Sequence, residues 1–262
     1  MVVLKKATNS YIASEEKEFL GKELTEKFST PKKQLCGYES ANVELLCSSN
    51  YEEWIDGAFY ACFATWDMQP AEPVTKMMER YPFARKEAMV IKMLKQRPIS
   101  AALESATFTF KMSGVPRTFL AQITRHRQMS FGVQSLRVNS CYANPVRCPQ
   151  VLLEGTDQEM IGEYEAVVKQ CRAMYKKLIN EGVPMEQARS IMPMGTTTTM
   201  ATVMRLREVL AYCRDRTSAI TQDEHSYVVA KLAKCMKENA TRFYDNFIKN
   251  DHIEELIKRY EV

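Results

Sequence analysis

Histidine is scarce in this chain of 262 residues, at three (His126, His225 and His252), and none of the eight cysteines forms a C-x-x-C pair. Cys141 and Cys148, the closest two, stand seven apart. Zinc needs clustered thiolate and imidazole ligands, so no metal site is expected. Long apolar runs are missing too, which argues against a membrane-spanning helix. The apolar start Met1-Val2-Val3-Leu4 gives way at once to Lys5-Lys6 and is too short for a secretory h-region. These absences together imply reduced thiols, a cytoplasmic protein and no membrane contact. A strong charge of one sign is also lacking. The net charge of +4 is mild, so nucleic-acid binding through bulk charge is not expected, and any anion site must come from local clustering.

What is present is ordinary in bulk. An apolar fraction of 45% and a charged fraction of 26% suit a globular protein with a sizeable core. Residues 1–38 are polar, with charge-dense runs at Glu15-Glu16-Lys17-Glu18 and Pro31-Lys32-Lys33, and read as an appendage to a main domain over 39–262. Alternation predicts strands at Ala41–Ser48 and Ala106–Phe110. Helical spacing predicts Tyr51–Trp66, Thr75–Tyr81, Ala84–Gln96 with a stripe of Ala88, Ile91 and Leu94, Arg117–Thr124, and Gln158–Glu181. A proline in the first turn starts another helix at Pro184. Ser130–Arg137 reads as a hydroxyl-rich loop and Tyr142–Leu153 as irregular. Thr196–Arg216 reads as one helix, and Ser218 or Thr221 offers a cap for a last long helix to Phe247. The fold class expected is α+β, rich in helix, with a small antiparallel or mixed sheet.

Basic residues gather in two distant segments. The first is Arg125-His126-Arg127, followed after seven further residues by Ser135 and then Arg137. Fixed guanidinium charge beside hydroxyl donors suits a phosphate-bearing ligand, although a solvated basic turn would have the same composition. The second segment runs from Arg189 to Arg216. As a helix, Thr196–Arg216 would bury Val203, Leu206, Leu210 and Cys213, with Arg207 and Arg214 beside that stripe and Arg205 and Arg216 on the far face. An arginine beside a core stripe either snorkels or faces an enclosed anion, and Glu208 and Asp215 are available as ion partners. Met192, Met194, Met200 and Met204 read as core packing.

Arg-His-Arg-x7-Ser, with Glu104, Phe108-Thr109-Phe110, Gln122, Arg137, Ala188-Arg189, Pro193, Arg207, Arg216, Gln222 and Glu224, resembles the flavin-dependent thymidylate synthases over about residues 40–250. The resemblance implies a helix-rich mixed α/β domain assembled as a homotetramer, with active sites at subunit junctions. It implies transfer of a methylene from methylenetetrahydrofolate to C5 of the pyrimidine nucleotide dUMP, with FAD as flavin cofactor and NADPH as its reductant. By the same resemblance, Gln122, Arg125, Ser135, Arg137, Arg189 and Arg216 bind the nucleotide. Arg216 is the catalytic residue, stabilising charge on the pyrimidine. Arg125, His126, Arg127 and Arg207 face the flavin and its diphosphate. A general acid or base role for His126 ranks below that contact.

Several positions depart from the family pattern. Gly132-Val133 stand where Asn-Glu is common, Val138 replaces a tyrosine, Ser105 a histidine, and Arg205 and Ala211 two asparagines that touch the flavin. A lost buried polar contact costs about 1–3 kcal/mol. Two alternatives follow: C5 one-carbon transfer to another pyrimidine nucleotide, UMP or dCMP, or a non-catalytic nucleotide-binding homologue.

Overall fold

The computed structural model describes residues 34–67, 74–137, 139–155, 157–218 and 221–262. Residues 1–33, which make up most of the expected appendage, and Val138 lie outside the described residues. Strands β1 (Leu35–Cys36) and β2 (Asn42–Ser48) come first. Helices α1 (Tyr51–Asp67), α2 (Val74–Glu79), α3 (Phe83–Gln96) and α4 (Ser100–Ser105) lead to the long strand β3 (Thr107–Pro116). Helix α5 (Arg117–Ile123) precedes β4 (Ser130–Val133) and β5 (Val146–Arg147). Helices α6 (Gln150–Glu154), α7 (Gln158–Asn180) and α8 (Met185–Ala188) lead to β6 (Thr197–Arg205). The C-terminal part is helical, with α9 (Leu206–Asp215), α10 (Asp223–Asn239), short turns over Thr241–Phe243 and Tyr244–Ile248, and α11 (Asp251–Arg259). The fold is α+β and dominated by helix, as the sequence implies.

The chain divides into two compact units. The first comprises, of the described residues, 34–41, 113–121 and 133–200; the second comprises Asn42–Met112, Gln122–Gly132 and Ala201–Val262. One sheet has the strand order β2-β3-β6-β4, and a smaller one pairs β1 in parallel with β5, Cys36 opposite Arg147.

In the first unit, β1 and β5 are tied down by two arginines that leave the solvent. Arg147 is buried, donates to Ser40 Oγ and to the Gly114 carbonyl, each at 3.0 Å, and lies over the Tyr38 ring. Arg172 on α7 donates to the Asn144 carbonyl at 2.7 Å and to the Gln34 side chain. Gly114 has φ +68, and a Cβ there would meet the Ser40 carbonyl oxygen at 2.0 Å, so both the backbone angle and the close approach require glycine. Leu136, Cys141, Tyr175 and Ala188 form a buried cluster, with Leu178, Val183 and Met192 packed against it.

In the second unit the core is aromatic. Trp54, Phe108 and Phe243 meet at centroid distances of 4.9 and 5.0 Å, and the Trp54 indole N–H donates to the Ala102 carbonyl at 2.9 Å. Phe108 and Phe110 are fully buried on one face of β3, as alternation predicts.

The largest correction concerns Thr196–Arg216, which is not one helix. Residues Thr197–Arg205 are strand, and helix begins only at Leu206. Five of those nine strand residues are β-branched, which fits a pleated surface better than a helix. Met200, Thr202 and Met204 point inward while Ala201, Val203 and Arg205 point out. Val203, expected in the buried stripe, is 40% exposed, while Leu206 and Cys213 are buried as expected and Val209 and Tyr212 join them. Met194 is also exposed rather than core. Smaller corrections follow from local chemistry. Ser130–Val133 is strand, Tyr142–Leu153 contains β5 and most of α6, and α3 buries Leu94 as expected but Lys86 and Val90 in place of Ala88 and Ile91. The long helix α10 ends at Asn239, with Ala240 (φ -140) as its C-cap, instead of running to Phe247, and its N-cap is Gln222 rather than Ser218 or Thr221.

Candidate functional site

The end of α5 delivers Gln122 and then the tight turn Arg125-His126-Arg127. The amide N–H of Arg125 donates to the Gln122 carbonyl and that of His126 to the Ile123 carbonyl, so helical bonding persists through the turn. Arg125 and Arg127 project outward and are exposed, and neither side chain has a carboxylate partner among the described residues. His126 turns inward. Its Nε2 accepts from Arg216 Nε at 3.0 Å, which places the ring proton on Nδ1. Desolvation first, then the Arg216 charge, hold its pKa below the ordinary value, so the imidazole is neutral. Arg216, at the end of α9, also donates to the Gln122 carbonyl at 3.2 Å, while the Arg216 carbonyl accepts from Ser226 Oγ.

Behind this contact lie two residues the sequence reading did not single out. Tyr212 meets the His126 ring edge to face at 5.4 Å, and its hydroxyl pairs with His225 Nδ1 at 3.1 Å. Tyr212 sits one helical turn before Arg216, and His225 lies beside the family-like Gln222 and Glu224; those spacings are the only signal that could have found them. The Gln122 amide donates to Gln222 Oε1 at 2.7 Å. Thus the second unit brings together Gln122, His126 and Arg216.

Arg207 is placed otherwise. At the start of α9 it donates to Glu104 Oε1 at 2.6 Å and to Ser100 Oγ at 2.9 Å, and Arg205 approaches the other Glu104 oxygen at 3.5 Å. Ser105 bonds back to the Ala102 carbonyl of its own helix. Gly132 is exposed, and the nearest atom to a Cβ there would be Ala201 Cβ at 3.9 Å, so this glycine is not demanded by packing.

The first unit gathers Ser135, Arg137 and Arg189. Ser135 Oγ accepts from the Arg137 amide at 3.3 Å. Arg137 Nε donates to the Glu186 carboxylate at 3.1 Å, and Arg189 Nε donates to the Glu186 carbonyl at 3.2 Å. Glu186, also unforeseen, therefore links the motif loop to the Ala188-Arg189 turn. Cys141 is buried nearby; desolvation raises its thiol pKa, and Arg117 and Arg189 lower it in part. A thiol with that environment is a packing residue.

The sequence pattern of the thymidylate synthase complementing protein family matches residues 44–240. The chain is similar to several flavin-dependent thymidylate synthases. That of Pyrococcus furiosus is 31% identical over 158 residues, 60% of this chain and 60% of its own. That of Sulfurisphaera tokodaii is 28% identical over 166 residues, 58% of this chain and 63% of its own. The chain thus spans about 60% of the length of the curated relatives it matches. Among solved structures it is similar to the UMP/dUMP methylase PolB from Streptomyces cacaoi bound with 5-Br dUMP, with a TM-score of 0.64 and 17% identity over 82% of this chain and 96% of that one. Thymidylate synthase X from Helicobacter pylori, solved with FAD and dUMP, gives a TM-score of 0.60 and 17% identity over 80% of this chain and 100% of its own. The fold is therefore the helix-rich α+β fold of these proteins. The chain belongs to the thymidylate synthase complementing protein family.

Proposed function

We propose that this chain is a flavin-dependent thymidylate synthase. It would transfer the methylene of methylenetetrahydrofolate to C5 of dUMP, with FAD as bound flavin and NADPH as reductant. The observation that carries this reading is the turn at 125–127: two exposed arginines without carboxylate partners among the described residues flank a neutral imidazole held by Arg216. The donor set suits FAD. Guanidinium pairs a diphosphate in a bidentate fork, and a neutral ring beside them suits a planar flavin better than a second cation would. Bound FAD supplies the hydride that completes reduction of the transferred carbon.

The residues then divide by task. Arg125 and Arg127 bind the diphosphate, and His126 keeps the neighbouring surface neutral. Arg207 takes part once its contact with Glu104 is shared. Ser135, Arg137 and Arg189 hold the nucleotide phosphate, with Arg137 exchanging Glu186 for it, and Gln122 and Arg125 also contact the nucleotide. Arg216 stabilises the negative charge that develops on the pyrimidine, oriented by His126 and the Gln122 carbonyl. Residues 39–262 would form the catalytic domain and 1–38 an appendage, in a cytoplasmic homotetramer. Among the described residues no helix is long and apolar enough to cross a membrane.

The decisive measurement is the visible spectrum of purified protein with and without added FAD, followed by nucleotide-stimulated NADPH oxidation. Flavin bands and turnover with dUMP are expected. Protein that stays colourless in excess FAD would sink the reading, and turnover with UMP or dCMP but not dUMP would keep the flavin and change the substrate.

A further inference from the structure

Helix α7 buries Val168, Arg172 and Tyr175 in the first unit, yet along its flank it exposes a second apolar line. Met160 is 46% exposed, Val167 56% and Met174 45%. Single exposed apolar residues are ordinary. Three at intervals of seven are different, because seven residues make nearly two turns and keep the side chains in one line of roughly 21 Å.

We propose that this line is a self-pairing surface, on which α7 of a second copy of this chain docks antiparallel about a two-fold axis through Val167. The spacing is symmetric about that residue. Antiparallel pairing sets Val167 against Val167 of the partner subunit and Met160 against Met174 of the partner subunit, so one patch serves both copies, as an isologous interface requires. The charges select the same direction. Exposed Glu159 near the start of α7 and exposed Lys177 near its end lie on one flank of this line, since their spacing makes about five whole turns. Antiparallel docking brings Glu159 towards Lys177 of the partner subunit. Parallel docking would place like charge beside like charge. The helix dipoles favour the antiparallel arrangement as well. The inference deepens the homo-oligomer part of the proposed function by naming a surface, and does not depend on the flavin chemistry.

Val167→Cys in the full-length chain tests it directly. Mild disulfide oxidation should give a cross-linked dimer on a non-reducing gel that the unsubstituted chain, with its own cysteines, does not give. By light scattering, Val167→Lys and Glu159→Lys should each halve the solution mass with the circular dichroism unchanged. Glu159→Lys combined with Lys177→Glu should restore it, which no effect confined to one helix would do. An oligomer whose mass ignores Val167→Lys, and in which Val167→Cys does not cross-link, overturns this surface alone. A native chain that is monomeric overturns both this surface and the oligomer reading.

Discussion

His225 is fully buried, and desolvation first, then the Arg216 charge, push its pKa down to about 3. An unfolded histidine titrates at about 6.5, and above that pH neither state takes up the proton. Between about 6.5 and 3 the unfolded chain binds a proton that the native one refuses. Stability therefore falls as the pH falls, by up to about 1.4 kcal/mol per unit from this residue. His225→Gln keeps a side chain able to meet the Tyr212 hydroxyl and removes the titration. Its melting temperature should decline less steeply than the native chain's between about pH 6 and 4; parallel curves in scanning fluorimetry would refute the assignment. Arg137 gives a second expectation at this scale. Its ion pair with Glu186 is exposed on both sides, so it is worth about 0–1 kcal/mol. That cost opposes transfer of Arg137 to a phosphate. Glu186→Gln should leave the melting temperature within a degree or two and lower the nucleotide KM by up to about five-fold. An increase in KM would show instead that Glu186 positions Arg137 for its ligand.

At the scale of the element, β6 and α9 show how a helix and a strand can be confused. The 3-4-3 spacing of Val203, Leu206, Leu210 and Cys213 fits a helix, and it arises because a strand's outward residue happens to precede the first buried residue of a real helix. The β-branched run from Thr197 carries the stronger physical signal, since each such side chain resists the helical rotamer. The junction is fixed by Glu208, whose carboxylate accepts from the Arg205 amide at 2.5 Å, half of a capping box at a helix start. The two readings differ at neighbouring residues. Val203 is outward and Met204 fully buried, so Met204→Ala should cost about 2–4 kcal/mol in urea unfolding, and Val203→Thr less than about 0.5. The reverse order would restore the continuous helix. Most other elements were legible because their period was carried by large side chains, as in β3 with Phe108 and Phe110. The phase of α3 was not, because a lysine, Lys86, takes one of its buried positions against Asp56.

Over the whole molecule, the candidate residues divide between the two units: Ser135, Arg137 and Arg189 belong to one, and Gln122, Arg125, His126, Arg127 and Arg216 to the other, which also holds Arg207 apart on Glu104. The motif at 125–135 was legible because its members are neighbours in sequence. The contacts that organise it were not, for Arg137 meets Glu186 across 49 residues and Arg216 meets His126 across 90. The clusters make the proposed division of ligands testable on the intact protein. Arg125→Ala combined with Arg127→Ala removes two exposed cations that pair with no carboxylate among the described residues, so folding should be unaffected. If these residues hold the FAD diphosphate, each lost charge-assisted bond costs about 1.5–3 kcal/mol, or at least ten-fold in affinity. Riboflavin, which has no phosphate, should bind the double variant as it binds the native chain. Arg189→Ala should do the opposite, raising the nucleotide KM ten-fold or more, again by about 1.5–3 kcal/mol, while leaving the FAD titration within two-fold. Added salt should weaken FAD binding to the native chain and hardly affect the double variant, since attraction between exposed charges weakens as salt shortens the Debye length from about 10 Å towards about 3 Å. Equal losses of FAD and riboflavin affinity in the double variant would mean that the turn shapes the isoalloxazine pocket, and that the diphosphate is held elsewhere.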